Sequence, residues 1–262
     1  MKKFSILLVI LMAFGLMVGV TGCGGGGEEA EGDKSEKSEL AINAATEATF
    51  APFEYQSESG EIEGFDADLI KAIGEAEGME VNIKHMDWDG LFPALQSGDV
   101  NVVIAAMTIN DERKKVVDFS EPYFESKQTI AVKEDSTIAS LEELVGKPVG
   151  VQQNTTGQFA MEELKGVNVD NIKKYPTVPD ALMNLQNGSL EAVVADAPVV
   201  QKYLETNPDS GLKTVTTKFE KEYYGIAVNK GDKELLSKIN EGLDKIKKDG
   251  TYDEIYKKYF AE

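Results

Sequence analysis

Several side chains are nearly absent from this chain. It contains one cysteine, one histidine and one tryptophan, and Arg113 is the only arginine among 27 basic residues. A lone cysteine excludes an internal disulfide. The one histidine, His85, stands between Lys84 and Met86 and is interpreted as structural, and no serine or cysteine nucleophile stands beside a base. Since the sequence also shows no cluster of metal-ligating residues, no metal or cofactor is expected.

Positive charge is scarce as well. The formal net charge is −19, which argues against binding to nucleic acid or to anionic lipid. After residue 22 the sequence has no apolar run long enough to span a membrane. The composition therefore predicts no nucleic-acid partner.

The N-terminus indicates export. The pair Lys2-Lys3 precedes an apolar stretch over residues 4–20, and the sequence VTGC then ends at Cys23. A basic start, an apolar core and small residues before the cleavage point are typical of a secretory signal, and a retained membrane anchor is the alternative. Small residues directly before a lone cysteine resemble a bacterial lipobox, in which the cysteine carries the lipid. We therefore expect a signal peptide over residues 1–22 and lipidation of Cys23.

The next segment, residues 24–39 (GGGGEEAEGDKSEKSE), has no apolar side chain larger than alanine. Because it cannot bury apolar surface, we expect a flexible tether with a reach of roughly 20–25 Å. This tether would hold the globular part at the outer face of the cytoplasmic membrane. Residues 40–262 are too many for one small core and predict two modest α/β domains.

The single arginine stands where a ligand could bind. Residues 102–106 are apolar and mostly β-branched, which predicts a buried strand, and residues 110–112 (NDE) predict a helix start. Arg113 would then lie in the first helical turn beyond the carboxyl end of a strand, where open α/β sheets bind ligands. Its planar fork suits a carboxylate because it makes two parallel charge-assisted hydrogen bonds. A surface ion pair with a neighbouring acid is the alternative.

An internal repeat organises the middle of the chain. Residues 95–106 (LQSGDVNVVIAA) align without a gap with residues 185–196 (LQNGSLEAVVAD). In each copy an amphipathic helix would end at a glycine, Gly98 or Gly188, which adopts the left-handed conformation most readily, and a buried strand follows. Looser similarity continues upstream. The repeat predicts a strand–helix–strand unit in each of two similar lobes, with a chance match as the alternative.

The repeat gives Ala106 and Asp196 the same position, at the carboxyl ends of equivalent strands. If the lobes face each other, Thr108 and Arg113 lie across a cleft from Asp196. A guanidinium opposite a carboxylate can hold a zwitterion. The guanidinium would bind the ligand's α-carboxylate, and the carboxylate would bind its α-ammonium. A loop carboxylate before Pro198 is the alternative for Asp196.

Other segments fit the two-lobed plan. Residues 127–132 and 224–228 are extended and are the predicted crossings between the lobes, and two such strands would form a hinge. The remaining predicted elements are a strand at 40–44, helices at 65–77 and at 234–260 with a break at Gly250, a helical turn at 140–145, a strand at 148–151 and a polar loop at 152–157.

Six motifs are shared with one family: residues 48–55 (ATFAPFEY), 64–69 (GFDADL), 95–98 (LQSG), 108–113 (TINDER), 118–123 (DFSEPY) and 250–256 (GTYDEIY). In this order they resemble the polar amino-acid substrate-binding proteins of ABC importers, such as the glutamine-, lysine/arginine/ornithine- and arginine-binding proteins. The resemblance runs from about residue 40 to the C-terminus. It implies the two-lobed periplasmic-binding-protein fold, in which two similar α/β lobes joined by two hinge strands close over an L-amino acid.

The resemblance also implies a ligand site in three parts. The Thr108 hydroxyl and the backbone amides of Thr108 and Thr156 would assist the arginine. Two aromatic rings would enclose the ligand's side chain; for Trp88 a core position is the alternative. The implied residues are Arg113, Thr108 and Thr156 for the α-carboxylate, Asp196 and the Ala106 carbonyl for the α-ammonium, and Phe50, Trp88, Glu47 and Gln152 around the side chain.

Departures from the glutamine binders bear on the ligand. Glu47 stands where they tend to carry aspartate, Gln152 where they carry lysine and Ala195 where they carry histidine. Arg113 and Asp196 would neutralise the ligand's two α-groups, which leaves Glu47 as an unpaired charge, and burying such a charge is costly. A cationic side chain removes that cost and can stack between the aromatic rings for about 0.5–2 kcal/mol. The sequence favours arginine or lysine over glutamine.

The sequence thus predicts a monomeric binding protein rather than an enzyme. Its lobes would comprise residues 40–126 with 225–262, and residues 127–224. Its partners would be a free L-amino acid, the permease of an ABC importer and, through Cys23, the membrane. A glutamine-specific protein of the same type is the alternative, followed by a sensor or a dehydratase on this fold, which would need a poised acid or base that the sequence does not show.

Overall fold

The computed structural model describes residues 41–261, so the predicted signal peptide, the tether and Cys23 lie outside the described residues. The strands are β1 (Ile42–Thr46), β2 (Thr49–Phe50), β3 (Glu54–Gln56), β4 (Ile62–Glu63), β5 (Val81–His85), β6 (Val102–Val103), β7 (Val117–Phe119), β8 (Phe124–Lys133), β9 (Val149–Gln152), β10 (Ile172–Tyr175), β11 (Ala192–Asp196), β12 (Leu212–Val215), β13 (Lys221–Tyr224) and β14 (Ala227–Asn229). The α-helices are α1 (Phe65–Glu77), α2 (Leu91–Ser97), α3 (Asp111–Lys114), α4 (Thr156–Glu163), α5 (Val178–Gln186), α6 (Ala197–Thr206), α7 (Lys233–Asp249) and α8 (Thr251–Phe260).

Two sheets of matching topology form the described part of the chain. The first has the order β5-β1-β6-β14-β7, and the second has the order β10-β9-β11-β8-β12. In each sheet the first three strands run parallel and the last two are antiparallel to their neighbours. The strands of the internal repeat, β6 and β11, occupy equivalent places. The predicted duplication of the strand–helix–strand unit is therefore confirmed.

The strands that pass between the sheets lie earlier than predicted. β13 pairs antiparallel with the start of β8, from Tyr224 opposite Phe124 to Lys221 opposite Lys127. The predicted crossings at residues 127–132 and 224–228 fall mostly within the two sheets. Residues 128–132 and 224–228 are buried within the sheets, whereas β8 alternates between buried and exposed residues over 124–127, where it pairs with β13.

Several other elements differ from the sequence prediction. β1 begins and ends two residues later than the predicted strand. The last two residues of the predicted polar loop at 152–157 belong to α4, whose start is capped by the Thr155 side chain accepting from the Gln158 amide, and its first residue, Gln152, ends β9. Helix α6 follows Asp196 directly and was not predicted. The helix over Phe65–Glu77 and the tail helices separated at Gly250 are confirmed.

Aromatic packing joins the crossing strands to the first sheet and to the C-terminal helix. Phe53 contacts Tyr224 with ring centroids 5.2 Å apart, and Phe124 stacks on Tyr224 at 5.6 Å. Phe260 of α8 lies 4.9 Å from the Phe124 ring. Such pairs add about 0.5–1.5 kcal/mol each beyond the burial of their area. Within residues 41–261, no helix combines the length and apolarity needed to cross a membrane.

Candidate functional site

A cleft lies at the strand ends of both sheets, and all nine predicted ligand-binding residues line it. Its empty volume, which includes the part open to solvent, is about 410 Å³. The residues predicted from sequence are Glu47, Phe50, Trp88, Ala106, Thr108, Arg113, Gln152, Thr156 and Asp196, and the further lining residues are Glu54, Ala105, Thr155, Val178, Val194 and Ala195. Their ligand roles stay predictions.

The Arg113 side chain is held across the cleft by two carbonyls. Asn110 caps α3 by accepting the Arg113 amide at 2.8 Å, which places the arginine in the first turn as predicted. Nη1 donates to the Thr108 carbonyl at 2.8 Å and Nη2 to the Asn154 carbonyl at 3.3 Å. The residue is only 8% exposed, and burial lowers its pKa to about 10. No carboxylate of the described residues lies within ion-pair distance, so the alternative, a surface ion pair with a neighbouring acid, is not formed.

Trp88 contributes one wall. It begins a short 3-10 turn, Trp88–Gly90, after the strand β5, and it is partly buried. The guanidinium carbon of Arg113 lies 5.3 Å from the centre of its ring, within cation–π range. The indole Nε1 donates to the Asn154 carbonyl at 3.4 Å. The tryptophan therefore lines the cleft, and its partly buried ring also packs against the core cluster that contains Leu91 and Val103.

Asp196 is the acid opposite Arg113, and its surroundings are neutral hydrogen-bond donors. It is 7% exposed at the end of β11. Gln128 donates to Oδ1 and the Tyr224 hydroxyl donates to Oδ2. Burial and the nearby charge of Glu222 raise the pKa of Asp196 to about 7, against these hydrogen bonds and the field of Arg113. A ligand ammonium would favour the ionised carboxylate.

Glu47 closes the other end of the cleft. It is 2% exposed, with one carboxylate oxygen accepting from the Thr49 hydroxyl and the other accepting from Gln152 Nε2 at 3.5 Å. Gln152 also donates to the Pro176 carbonyl at 2.9 Å. Burial raises the pKa of Glu47 to about 7. Because both partners are neutral, the carboxylate has no cation to balance it among the described residues.

Two threonines, one after a strand and one at a helix start, meet at a single acid. Thr108 follows β6, and Thr156 is the first residue of α4, where backbone N–H groups have no partner within the helix. Both hydroxyls donate to Oε2 of Glu222, at 2.7 Å and 2.8 Å. Gly157 permits this arrangement, because a Cβ there would lie 2.9 Å from both the Val194 carbonyl and Gln128 Oε1.

A buried acid pair supports the turn at Ala106. Ala106 has the left-handed φ of 44°, which is unusual for a residue other than glycine. Its amide donates to Asp66 Oδ2 at 2.7 Å, as does the Tyr123 hydroxyl. Both carboxylate oxygens of Glu54 and Oδ1 of Asp66 are buried and have no hydrogen-bond partner among the described residues. Burial together with the Asp66 charge raises the pKa of Glu54 well above its ordinary range, which favours its protonated form.

The sequence did not predict Glu54, Asp66, Gln128 or Glu222 as parts of the site. Glu54 sits between Phe53 and Tyr55 in a motif that the resemblance quoted, which was an available signal. The sequence around Glu222 offers no such signal, because acidic and basic residues alternate there. The single histidine is structural as predicted, with Nδ1 accepting the Ala48 amide at 3.0 Å beside Glu47.

Comparisons with known proteins agree with this geometry. A model of bacterial extracellular solute-binding proteins, family 3, matches residues 42–262. A probable histidine-binding protein from Neisseria gonorrhoeae is 38% identical over an alignment of 264 positions. The alignment covers 100% of this chain and 97% of that protein.

Two solved structures are similar throughout the described fold. The arginine-, lysine-, histidine-binding protein ArtJ from Geobacillus stearothermophilus has a TM-score of 0.81 and 42% identity, covering 85% of this chain and 96% of that one. An ancestral arginine-binding protein bound to glutamine has a TM-score of 0.79 and 50% identity, covering 85% and 98%. The predicted two-lobed periplasmic-binding-protein fold is confirmed.

Proposed function

The chain belongs to the bacterial extracellular solute-binding proteins of family 3, and on that premise we propose that it binds a cationic L-amino acid, arginine or lysine, in the cleft. Members of this family serve transport and not catalysis. The bound amino acid would be delivered to the permease of an ABC importer. The proposal rests on the charges that line the cleft.

The observation that carries the proposal is the buried, unpaired Arg113. A guanidinium that is 8% exposed has lost most of its hydration, and its two hydrogen bonds to carbonyls do not neutralise it. Burial of such a charge is costly unless an anion completes the site. An α-carboxylate would do so through the remaining donors of the fork, together with the backbone amides of Thr108 and Thr156.

The α-ammonium would bind at the opposite wall. Asp196 and the Ala106 carbonyl offer acceptors there, and the Asp66 bond to the Ala106 amide holds the turn that presents this carbonyl. A cationic group beside Asp196 would lower its pKa from about 7 and keep it ionised. This accounts for both groups that all amino acids share.

The side chain would extend between Phe50 and Trp88 toward Glu47. With Arg113 and Asp196 neutralised by the ligand's α-groups, the Glu47 carboxylate still lacks a cation. A guanidinium or ammonium supplies it, and the aromatic rings add cation–π attraction of about 0.5–2 kcal/mol. Arginine can also donate in several directions at once, which fits a site where Gln152 and Thr49 are close to the same carboxylate.

Glutamine is the second candidate. An ancestral arginine-binding protein similar to this chain has been solved with glutamine bound. Because burial brings the pKa of Glu47 to about 7, a protonated Glu47 could donate to a side-chain amide oxygen near neutral pH. If glutamine is the ligand, its affinity should rise as the pH falls.

The exported location completes the proposed role. Lipidation of Cys23 and the tether of residues 24–39 would hold the protein outside the cytoplasmic membrane as a monomer. The lobes would move as bodies of residues 40–126 with 225–262 and of residues 127–224, with β8 and β13 between them. Closure over the amino acid would present one defined shape to the permease.

A thermal-shift screen of the purified protein against the twenty amino acids tests the proposal. A ligand at 100-fold excess over its dissociation constant stabilises the folded state by about 2.7 kcal/mol, which raises the melting temperature measurably. We expect arginine and lysine to give the largest shifts. A shift with glutamine alone would favour the second candidate, and no shift with any amino acid would contradict both.

A further inference from the structure

Glu222 joins two cleft threonines through a single oxygen atom. It stands on β13, one of the crossing strands, and its Oε2 accepts from the Thr108 hydroxyl at 2.7 Å and from the Thr156 hydroxyl at 2.8 Å. An ionised carboxylate has no proton to give, so each hydroxyl must donate. Each hydroxyl has one proton, and both protons are therefore directed away from the cleft.

The bridge continues toward the acid that faces Arg113. Gln128 Nε2 donates to the Thr156 hydroxyl at 3.1 Å and also to Asp196 Oδ1. A chain of hydrogen bonds thus runs behind the cleft from Thr108 to Asp196. Thr108 follows β6 of the first sheet, whereas Gln128 on β8 and Asp196 on β11 belong to the second sheet. Glu222 is the link between these two parts.

We propose that Glu222 is a positioning residue of the ligand site, because its carboxylate holds the Thr108 and Thr156 hydroxyls together across the closed cleft. This inference rests on the proposed function. It changes one prediction made from the sequence: the Thr108 hydroxyl is an acceptor toward the ligand, and the α-carboxylate is bound by Arg113 and backbone amides. The backbone of Thr108 pairs with Tyr224 of β13, where the Ile109 amide donates to the Tyr223 carbonyl at 2.8 Å, so Glu222 lies beside Thr108 at the crossing and links it to the start of α4.

Two variants separate the bridge from the charge. In Glu222→Gln one amide oxygen can accept both hydroxyls, as Oε2 does, while the negative charge is lost. In Glu222→Ala both the bridge and the charge are lost. Glu220→Ala is the matched control, because it removes an exposed glutamate two residues earlier.

The measurement is stopped-flow kinetics with L-arginine, followed by the fluorescence of Trp88. We expect Glu222→Ala to dissociate arginine at least tenfold faster than wild type, with an association rate within threefold, because changes within one binding site act mainly on the dissociation rate. Glu222→Gln and Glu220→Ala should stay within threefold of wild type in both rates. Equal losses in the alanine and glutamine variants would assign the effect to charge and overturn the proposal, as would a normal dissociation rate in Glu222→Ala.

A second measurement needs no ligand. Denaturant unfolding of Glu222→Ala, of Thr156→Val and of the double variant tests whether the two groups act together. If both groups act through one shared bridge, the free energy of unfolding of the double variant should equal that of the less stable single variant. Fully additive losses would overturn the bridge. If wild type binds no amino acid, the proposed function fails while this cycle still decides the role of Glu222.

Discussion

Glu47 decides, in our proposal, whether the cleft takes a cation or a neutral amide, and Glu47→Gln tests this directly. The change removes the negative charge and keeps the size of the side chain. An amide oxygen can still accept from the Thr49 hydroxyl, so the local hydrogen bond is retained. Glu47 is 2% exposed, and water therefore screens its interaction with a ligand very little.

The expected loss for arginine and lysine is about 2–4 kcal/mol. Truncating one partner of a buried, hydrogen-bonded charge pair leaves the other charge unmatched, and losses of this size follow. With about 1.4 kcal/mol for each factor of ten, affinity should fall roughly 30- to 700-fold. Glutamine should change little or bind more tightly, because its side chain brings no charge to be matched.

Titration calorimetry at about pH 8.5 and about pH 5.5 measures this difference in two protonation states. Burial raises the pKa of Glu47 to about 7, so the empty site is ionised at the higher pH and largely protonated at the lower one. A cationic ligand binds the ionised form better. The difference between wild type and Glu47→Gln should therefore be large at high pH and shrink as the pH falls.

Glu61→Gln is the matched control. Glu61 is exposed directly before β4, and Glu61→Gln changes the net charge by the same amount as Glu47→Gln. If arginine weakened equally in both variants, long-range electrostatics and not a direct contact would be responsible. If glutamine, and neither arginine nor lysine, lost most of its affinity in Glu47→Gln, the assignment of a cationic ligand would be refuted.

Three further outcomes are expected. Arg113→Lys keeps the charge but loses the planar fork, so calorimetry should show at least about tenfold weaker binding of every amino-acid ligand with an unchanged circular dichroism spectrum; near-normal affinity would contradict the carboxylate role. Ligand should change the fluorescence of Trp88 saturably and reduce the radius of gyration in X-ray scattering, whereas identical scattering curves would indicate a rigid site. Without ligand, the melting temperature should fall as the pH rises from about 5 to about 8. Burial raises the pKa of Glu47, Asp66 and Asp196 to about 7, so the stability that their protons provide is lost through that range; a flat profile would contradict the reasoning.

The sequence predicted the cleft where local signals and the repeat acted together. A buried strand and the cap at Asn110 placed Arg113 at a strand end, and alignment of the two repeat copies placed Asp196 at the equivalent end in the other sheet. These inferences needed no side-chain geometry, because strand ends are fixed by topology. Glu47, Phe50 and Trp88 came from the resemblance to a family, and composition alone would not have separated them from ordinary surface and core residues.

The rest of the site depends on contacts between residues far apart in sequence. Glu222 is 114 positions from Thr108 and 66 from Thr156, and nothing in the surrounding residues marks it. Glu54 is fully buried, which no pattern of apolar and polar residues would suggest for a glutamate. The predicted crossings lie too late in the sequence for a related reason. The pairing of β8 with β13 depends on the register between two distant strands, and sequence periodicity does not reveal that register.

The charges around the cleft favour a ligand with more positive than negative groups. Among the described residues Arg113 is the one buried cation, and Glu47, Asp196 and Glu222 are acids on the walls of the cleft or directly behind them. Glu54 also lines the cleft, but burial raises its pKa well above the ordinary range and favours the neutral form. Glu222 is occupied by two hydroxyl protons, and the α-groups of any amino acid balance Arg113 and Asp196. Only Glu47 then requires a charge from the side chain. A neutral amide would bind there with Glu47 protonated or unmatched, whereas a guanidinium or ammonium removes the mismatch while the carboxylate stays ionised.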